Sequence, residues 1–393
     1  MSIRNNRFKI RNMRINKLFI LYALLGTLLT SCIQDEAQNS EADITKIAFE
    51  GDILANSYIN LNPSFDEILN AYPIRVSVKE GKDLSNLAPV FELTPGATIS
   101  PASGSIQDFT TPVRYTVTSE DKAWHRVYSI SAKEQKASNI PTTYHFENIR
   151  LIQNSYQEFY EEQESGDELT WASGNKGFKW AMSEAKSEDY PTVQYVDGKV
   201  GKCVKLETRL TGDLGNMVNM PIAAGNLFIG SFDMLNAITN PLSATRFGTT
   251  FYNKPLRLTG YYKYKAGDKF FENGGYTSRK DMFNIYAIFY DGVKNENGTI
   301  KDVTLDGNLP NVNYEHANMV ALALVSNPHA TNEWEFFDIP FDYKRYGKRI
   351  DETKLANGDY KISIIFASSK DGAIFEGAPG STLLIDEVEL IYE

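Results

Sequence analysis

From Ile44 onward the chain alternates apolar and polar residues with a period of two, in short runs separated by turn-forming residues. Ile74, Val76 and Val78 alternate with Arg75 and Ser77, while Val113, Tyr115 and Val117 alternate with Arg114, Thr116 and Thr118. A period of two puts successive side chains on opposite faces, so each run predicts a strand with one buried face. Turn chemistry lies between them, as in Glu80-Gly81-Lys82-Asp83, Thr94-Pro95-Gly96 and Ser119-Glu120-Asp121. Asp66 to Asn70 offers one helical turn at most, bounded by Pro63 and Pro73. No long stripe of helical period appears, so the expected class is all-β. The 393 residues are 42% hydrophobic and 23% charged with only two Cys. That excludes a disordered, collagen-like or disulfide-stapled chain.

The first 31 residues break the pattern. Arg4, Arg7, Lys9, Arg11, Arg14 and Lys17 occur there without an acid, followed by an apolar run over residues 18–29. A basic leader and a short apolar core fit an export signal, and the run falls short of the ~20 apolar residues that span a bilayer. It ends in Leu29-Thr30-Ser31-Cys32, which resembles a bacterial lipobox whose Cys is acylated. Gln34-Asp35-Glu36 then resembles the acidic tag that sends lipoproteins of Gram-negative gut anaerobes to the outer face of the outer membrane. The expectation is a signal over 1–31, a lipid on Cys32 as the anchor, and an acidic tether over 32–42. Without the six leader cations, 34 basic residues face 50 acidic ones and the net charge moves from −10 to −16. Such a surface repels nucleic acid, so no nucleic-acid partner is expected.

Residues 43–136 read as a small β-sandwich, and the polar stretch ending at Pro141 marks a boundary near 136–142. Strand-like runs then recur at 200–208, 256–265, 282–290, 319–325, 334–339, 360–367 and 382–392. Asn273-Gly274, Asn297-Gly298, Asp306-Gly307, Asn357-Gly358 and Asp371-Gly372 supply the positive φ angles of tight hairpins. Only 158–164 has the acid and Gln content of a helix, and it fits a solvated loop equally. About 250 residues of this kind predict one large sandwich or jelly roll over 144–393.

Reactive groups are sparse. The four His are widely spaced with no H-x-x-x-H pair, and no G-x-S-x-G, Walker A or G-x-G-x-x-G motif occurs. Cys203 alternates within a strand and reads as a buried structural thiol. Glycoside hydrolysis needs only two carboxyl groups, for which Asp233, Asp281, Glu315, Glu333 and Glu335 are all eligible. Aromatic residues say more. Sugars offer flat C–H faces rimmed by hydroxyls, so their sites combine rings with polar side chains. On the strand beginning at Leu256, one face carries Leu256, Leu258, Tyr262 and Tyr264; the other carries Arg257, Thr259, Tyr261 and Lys263. On the next, Phe283, Ile285, Ala287 and Phe289 share an apolar face, leaving Asn284, Tyr286 and Tyr290 on a more polar one. Arg257, Tyr262, Asn284, Tyr286 and Tyr290 are therefore the expected carbohydrate-binding residues. A second layer covering that polar face is the competing expectation.

Two stretches carry a resemblance. Tyr115-Thr116-Val117-Thr118-Ser119-Glu120-Asp121 with Tyr128-Ser129-Ile130 resembles the closing hairpin of immunoglobulin-like modules that act as spacers in surface lipoproteins. Trp124 and His125 sit on its outer turn. Further on come Tyr144-His145-Phe146-Glu147-Asn148, Trp171-Ala172-Ser173-Gly174-Asn175 and Pro255-Leu256-Arg257-Leu258-Thr259-Gly260-Tyr261-Tyr262. With the closing Gly380-Ser381-Thr382-Leu383-Leu384-Ile385-Asp386-Glu387-Val388-Glu389-Leu390, residues 144–393 resemble the putative carbohydrate metabolism domain family. The resemblance implies a jelly roll similar to carbohydrate-binding modules and a role on glycans. Pro379 stiffens a loop that is usually Gly-rich in the family. By similarity to sugar-binding jelly rolls, Glu147 and Asp386 are expected as ligands of a structural Ca²⁺, with no other cofactor required. The leading expectation is a surface lipoprotein that binds glycan or polysaccharide. A glycoside hydrolase on the same scaffold and a structural adhesin or fimbria-like subunit of a surface protein complex are the alternatives.

Overall fold

A computed structural model of the protein describes residues 38–55, 59–135, 140–163, 166–296 and 299–393. The leader, Cys32 and the first part of the acidic tether lie outside the described residues. The alternating runs of the N-terminal segment form β1 (Ile44–Phe49), β2 (Tyr72–Lys79), β3 (Pro89–Leu93), β4 (Thr98–Ser100), β5 (Val113–Thr118) and β6 (His125–Gln135). One sheet has the order β2-β6-β5-β4, with β2 parallel to β6; β1 and β3 pair antiparallel in a second. Ile74, Val76 and Val78 of β2 pack with Tyr115 and Val117 of β5 and with Ile44 and Ile47 of β1 in a single core. Their polar alternates face outward, which is what the period of two requires. Asp66 to Asn70 forms a turn, its Asp66 carboxylate accepting from the Ile68 and Leu69 amides.

The larger domain is a sandwich of antiparallel sheets. Its elements are β7 (Thr143–Tyr144), β8 (Asn148–Ile152), β9 (Tyr156–Glu162), β10 (Glu168–Thr170), β11 (Thr192–Tyr195) and β12 (Cys203–Glu207). Then come β13 (Asn226–Phe228), β14 (Pro255–Lys265), β15 (Asn284–Asp291), β16 (Met319–Leu324), β17 (Glu335–Pro340), β18 (Tyr360–Ala367) and β19 (Thr382–Tyr392). The first sheet runs β11-β12-β19-β14-β17, with β7 beside β19, and the second runs β13-β18-β15-β16. Phe283, Ile285, Ala287 and Phe289 meet Leu258, Tyr262, Tyr264, Phe337, Ile385 and Leu390 between the sheets. The all-β jelly-roll class expected from the alternation is the one observed.

A third layer distinguishes this sandwich from a simple two-sheet one. A small sheet of Gly230–Phe232, Thr245–Phe247 and Leu305–Asp306 lies in the same region as the turn bearing Leu309 and Tyr314. Together they cover the outer face of the second sheet. Phe247, Leu305, Leu309 and Tyr314 thereby bury Tyr286, Ile288 and Tyr290 in a separate core. The described part of the segment 158–164 is not helical: Tyr156–Glu162 is β9, the centre of a three-strand meander with β8 and β10. Asn273 and Gly274, with φ of 50° and 79°, form the two-residue loop of a hairpin between Phe270–Glu272 and Gly275–Thr277. Asn357-Gly358 does something else. Gly358, at φ 75°, caps the C-terminus of the helix Glu352–Asn357.

Candidate functional site

The outer face of the first sheet remains open along β14 and β17. Because Leu258, Tyr262 and Tyr264 point into the core, Tyr261 and Lys263 point away from it, and Arg257 joins them beyond a bulge. On β17, inward Phe337 and Ile339 send Phe336 and Asp338 to the same outer face. The antiparallel register sets Tyr261 opposite Phe336 and Thr259 opposite Asp338. The Tyr261 and Phe336 rings are 5.2 Å apart, centroid to centroid. Phe336 is 54% exposed, an unusual state for a Phe on a strand. Trp334, of the same parity two residues earlier, is half-exposed. At the other end, Arg257 pairs with Asp338 at 2.6 Å.

A loop brings a cation onto this platform. The Lys199 ammonium lies 4.7 Å from the centroid of the Tyr261 ring. Lys199 is placed there through its backbone: buried Asp386 accepts from the Lys199 amide (2.6 Å) and the Val200 amide (3.0 Å). Glu147 accepts from the Lys202 amide at 2.7 Å. Asp386 sits at a bulge where Glu387 takes a left-handed φ of 48°. Burial lifts the Asp386 pKa to about 6, against the pull of the backbone amides.

Around the edge of β17 the platform continues into a cleft of about 480 Å³ between the β16 and β17 edges. His329, Glu335, Phe336, Asp338, Asp342 and Arg345 line it. His329 contacts the Asn327 carbonyl through Nδ1 (2.9 Å) and the Glu335 carboxylate through Nε2 (3.0 Å). The hydrogen bond to the Asn327 carbonyl, followed by the Glu335 contact, raises the His329 pKa, since both favour the imidazolium. The Tyr262 hydroxyl closes the floor 3.4 Å from His329 Nδ1, and burial pushes its pKa up to about 12. Carboxylates, an imidazole and a guanidinium beside an exposed ring are the donors and acceptors that hydroxyl-rich ligands require.

The expected site residues separate. Arg257 stands on the open face. Tyr262, Asn284 and Tyr286 are each only 3% exposed and Tyr290 is fully buried, which removes the three tyrosines as stacking platforms and takes Asn284 off the surface. Tyr262 packs on Phe283 at 4.8 Å. Asn284 donates to the Tyr314 hydroxyl (2.8 Å), Tyr286 meets Tyr314 edge-on at 5.2 Å, and the Tyr290 hydroxyl donates to the Phe247 carbonyl (2.7 Å). The competing expectation, a covering layer, is the one observed. Glu147 and Asp386 flank one loop, but backbone N–H groups donate to both Asp386 oxygens and to Oε1 of Glu147. Among the described residues, no group of three or more His, Cys, Asp or Glu is placed to hold a metal. This donor set does not fit Ca²⁺, which takes six to eight oxygens.

Of the eligible carboxylates, Asp233 caps a helix by accepting from the Leu235 amide. Asp281 is buried in a hydroxyl network, Glu315 pairs with Arg345 and Glu333 is exposed; only Glu335 reaches the cleft. Cys203 is buried, and burial pushes its thiol up to about 12, so it is not a nucleophile. Phe336, Lys199 and His329 were not singled out from sequence. Phe336 had a signal in its run, Glu335-Phe336-Phe337-Asp338-Ile339, where alternation sets it with Asp338 rather than with the core.

Residues 145–391 match the family described as putative carbohydrate metabolism domain. Residues 66–132 match a second, described as SGBP, N-terminal, a surface glycan-binding protein module. A crystal structure described as a putative glycoside hydrolase from Bacteroides thetaiotaomicron is 44% identical with a TM-score of 0.59. The alignment covers 92% of this chain and 99% of that one. Another, described as a putative glycoside hydrolase from Bacteroides vulgatus, is 51% identical with a TM-score of 0.61, covering 65% of this chain and all of that one. No curated protein matches.

Proposed function

Because the chain belongs to the putative carbohydrate metabolism domain family and carries an SGBP N-terminal module, we propose that it is a cell-surface glycan-binding protein that holds polysaccharide on the open face of its jelly roll. The observation that carries this reading is the outward-facing pair of exposed Phe336 and half-buried Tyr261, bordered by Lys199 and by the Arg257–Asp338 pair. Two rings one strand apart on a twisted sheet offer stacking to successive sugar rings, and the flanking charges offer hydrogen bonds to hydroxyls. The strand scaffold fixes both rings before the ligand arrives, which limits the entropy lost on binding. The N-terminal sandwich holds the jelly roll away from the membrane, with lipidated Cys32 as the anchor in the outer membrane. Retardation of the purified 33–393 fragment in gels containing soluble polysaccharides tests the reading. At least one polymer is expected to retard it; free migration through a broad panel overturns the proposal.

A second reading, glycoside hydrolysis, is favoured by the cleft carboxylates next to the platform and by the descriptions of the two crystal structures. Glu335, held by His329, is then the carboxylate that acts as base or nucleophile, and Glu335→Gln is expected to reduce sugar release by ~100-fold or more. Reducing-end release that is absent in the wild type, or unaltered in the variant, removes Glu335 from that role.

A further inference from the structure

The platform is not electrically neutral. On β14, Lys263 and Lys265 follow Tyr261 at intervals of two, so all three side chains leave the sheet on the same face. Lys199 reaches over the Tyr261 ring from the neighbouring loop. None of these three ammonium groups has a carboxylate within ion-pair distance among the described residues. Of the nearby acids, Asp338 holds Arg257, Glu387 holds His145 and Asp386 is buried against backbone amides, while Asp197, Asp268 and Glu333 form no ion pair with these lysines among the described residues. Lys205, across β19 from Lys263 through Leu384, is matched by Glu207. Glu389 lies opposite Thr259, towards the Arg257 end rather than the lysine end. The surplus of positive charge is therefore local to one end of the rings, in a chain whose net charge is −10.

We infer that the platform is built for an anionic glycan, one bearing carboxylate or sulfate groups on rings that stack on Tyr261 and Phe336. The inference rests on the glycan-binding reading above and narrows its substrate class. The acidic bulk of the protein repels polyanions at long range, so an approach to this face gains from the lysines only inside the Debye length, roughly 10 Å at 0.1 M salt. An acidic sugar stacked on Phe336, beside the Tyr261 ring that Lys199 covers, brings its anion within that distance of Lys199. Lys263 and Lys265 then meet the acid groups of following residues along the strand. Neutral glycans receive the stacking but not the ion pairs, so the lysines act on selectivity. Carboxylate and sulfate present the same charge here, and the platform geometry alone serves both.

Affinity titration of the intact mature protein against polygalacturonate, dextran sulfate and a neutral galactan tests the idea. At least one anionic polymer is expected to bind about tenfold or more tighter than the neutral one at low salt, with the gap closing in 0.5 M NaCl. Which of the two wins assigns the anion as carboxylate or sulfate. Lys263→Gln with Lys265→Gln is expected to lower the anionic affinity about five- to tenfold, while Lys→Arg at both positions preserves it. Phe336→Ala separates this site from bulk charge attraction. A polyanion that binds Phe336→Ala as tightly as wild type overturns the inference. So does a neutral polymer that binds as tightly as the anionic ones, yet that result leaves the platform reading standing. Failure of all three polymers together with the wider panel overturns both.

Discussion

Asp281→Ala should lower the thermal midpoint of the jelly roll by roughly 6–15 °C, the equivalent of about 3–5 kcal/mol in a domain of this size. The carboxylate is 1% exposed and ties together segments distant in sequence. One oxygen accepts from the Ser369 hydroxyl (2.5 Å), the Ala378 amide (2.7 Å) and the Ser381 hydroxyl (2.7 Å). The other accepts from the Met282 amide at 2.8 Å. Thr208 extends the network to Ser368 and Ser369, and Ser381 in turn accepts from the Gly267 amide. Truncation leaves several donors in the interior with no acceptor, which costs far more than the loss of any one bond. Asp281→Asn keeps one acceptor but turns an amide group toward an N–H donor, so a smaller loss of about 1–3 kcal/mol is expected.

The same carboxyl carries a pH signature of definite sign. Burial, working against the hydrogen bonds, raises its pKa above the ordinary value of 3.8. The folded protein then holds this proton more tightly than the unfolded chain does. Its contribution to stability is greatest below 3.8 and declines as pH rises through the raised folded value. Asp281→Asn removes that segment of the pH dependence. Calorimetric scans across pH settle both points, and an Asp281→Ala midpoint within 2 °C of wild type would sink the network's structural role.

The architecture was legible because strand alternation is a local property. Phe283, Ile285, Ala287 and Phe289 announced a core face from their spacing alone, and they occupy one. What covers the opposite face is not local. Tyr286 and Tyr290 are buried by Phe247, Leu305, Leu309 and Tyr314, which come from segments on both sides in sequence. No periodicity within β15 records their arrival. A Tyr with an apolar ring and a polar tip suits an open sugar platform and a covered layer equally; here the Tyr290 hydroxyl donates to the Phe247 carbonyl and the Tyr286 ring packs on Tyr314, both under the covering layer. Acid content misled similarly over β9: Glu161 is buried, accepting from the Phe146 amide, where an exposed helix or loop would have left it solvated. The helix Asn175–Ala181 has seven residues, too few turns for a 3.6-residue stripe to emerge. The platform itself needed two facts at once, an outward Phe336 and an outward Tyr261 in register. Alternation gives each parity, but only the pairing of β14 with β17 sets them side by side.

That pairing makes the combined removal of the two rings the largest functional effect expected. Tyr261→Ala or Phe336→Ala alone should weaken polysaccharide binding about 5- to 30-fold, in the range of an aromatic interface anchor. Together they should weaken it about 100-fold or more. The effects are coupled because the rings touch, so the double variant is not the product of the singles. The fold offers an internal control. Both rings lie outside the core, and an aromatic cross-strand pair contributes only about 0.2–1 kcal/mol, so the double variant should unfold within a few degrees of wild type. Tyr286→Ala reverses the pattern: a ring buried against Phe247 and Tyr314 is lost, stability falls by about 3–5 kcal/mol, and the folded fraction keeps its affinity. Isothermal titration against the tightest polymer, with thermal unfolding of the same samples, gives both quantities. Undiminished affinity in the double variant would move the site off this face and towards the β16–β17 cleft, where Glu335→Gln already supplies the deciding variant.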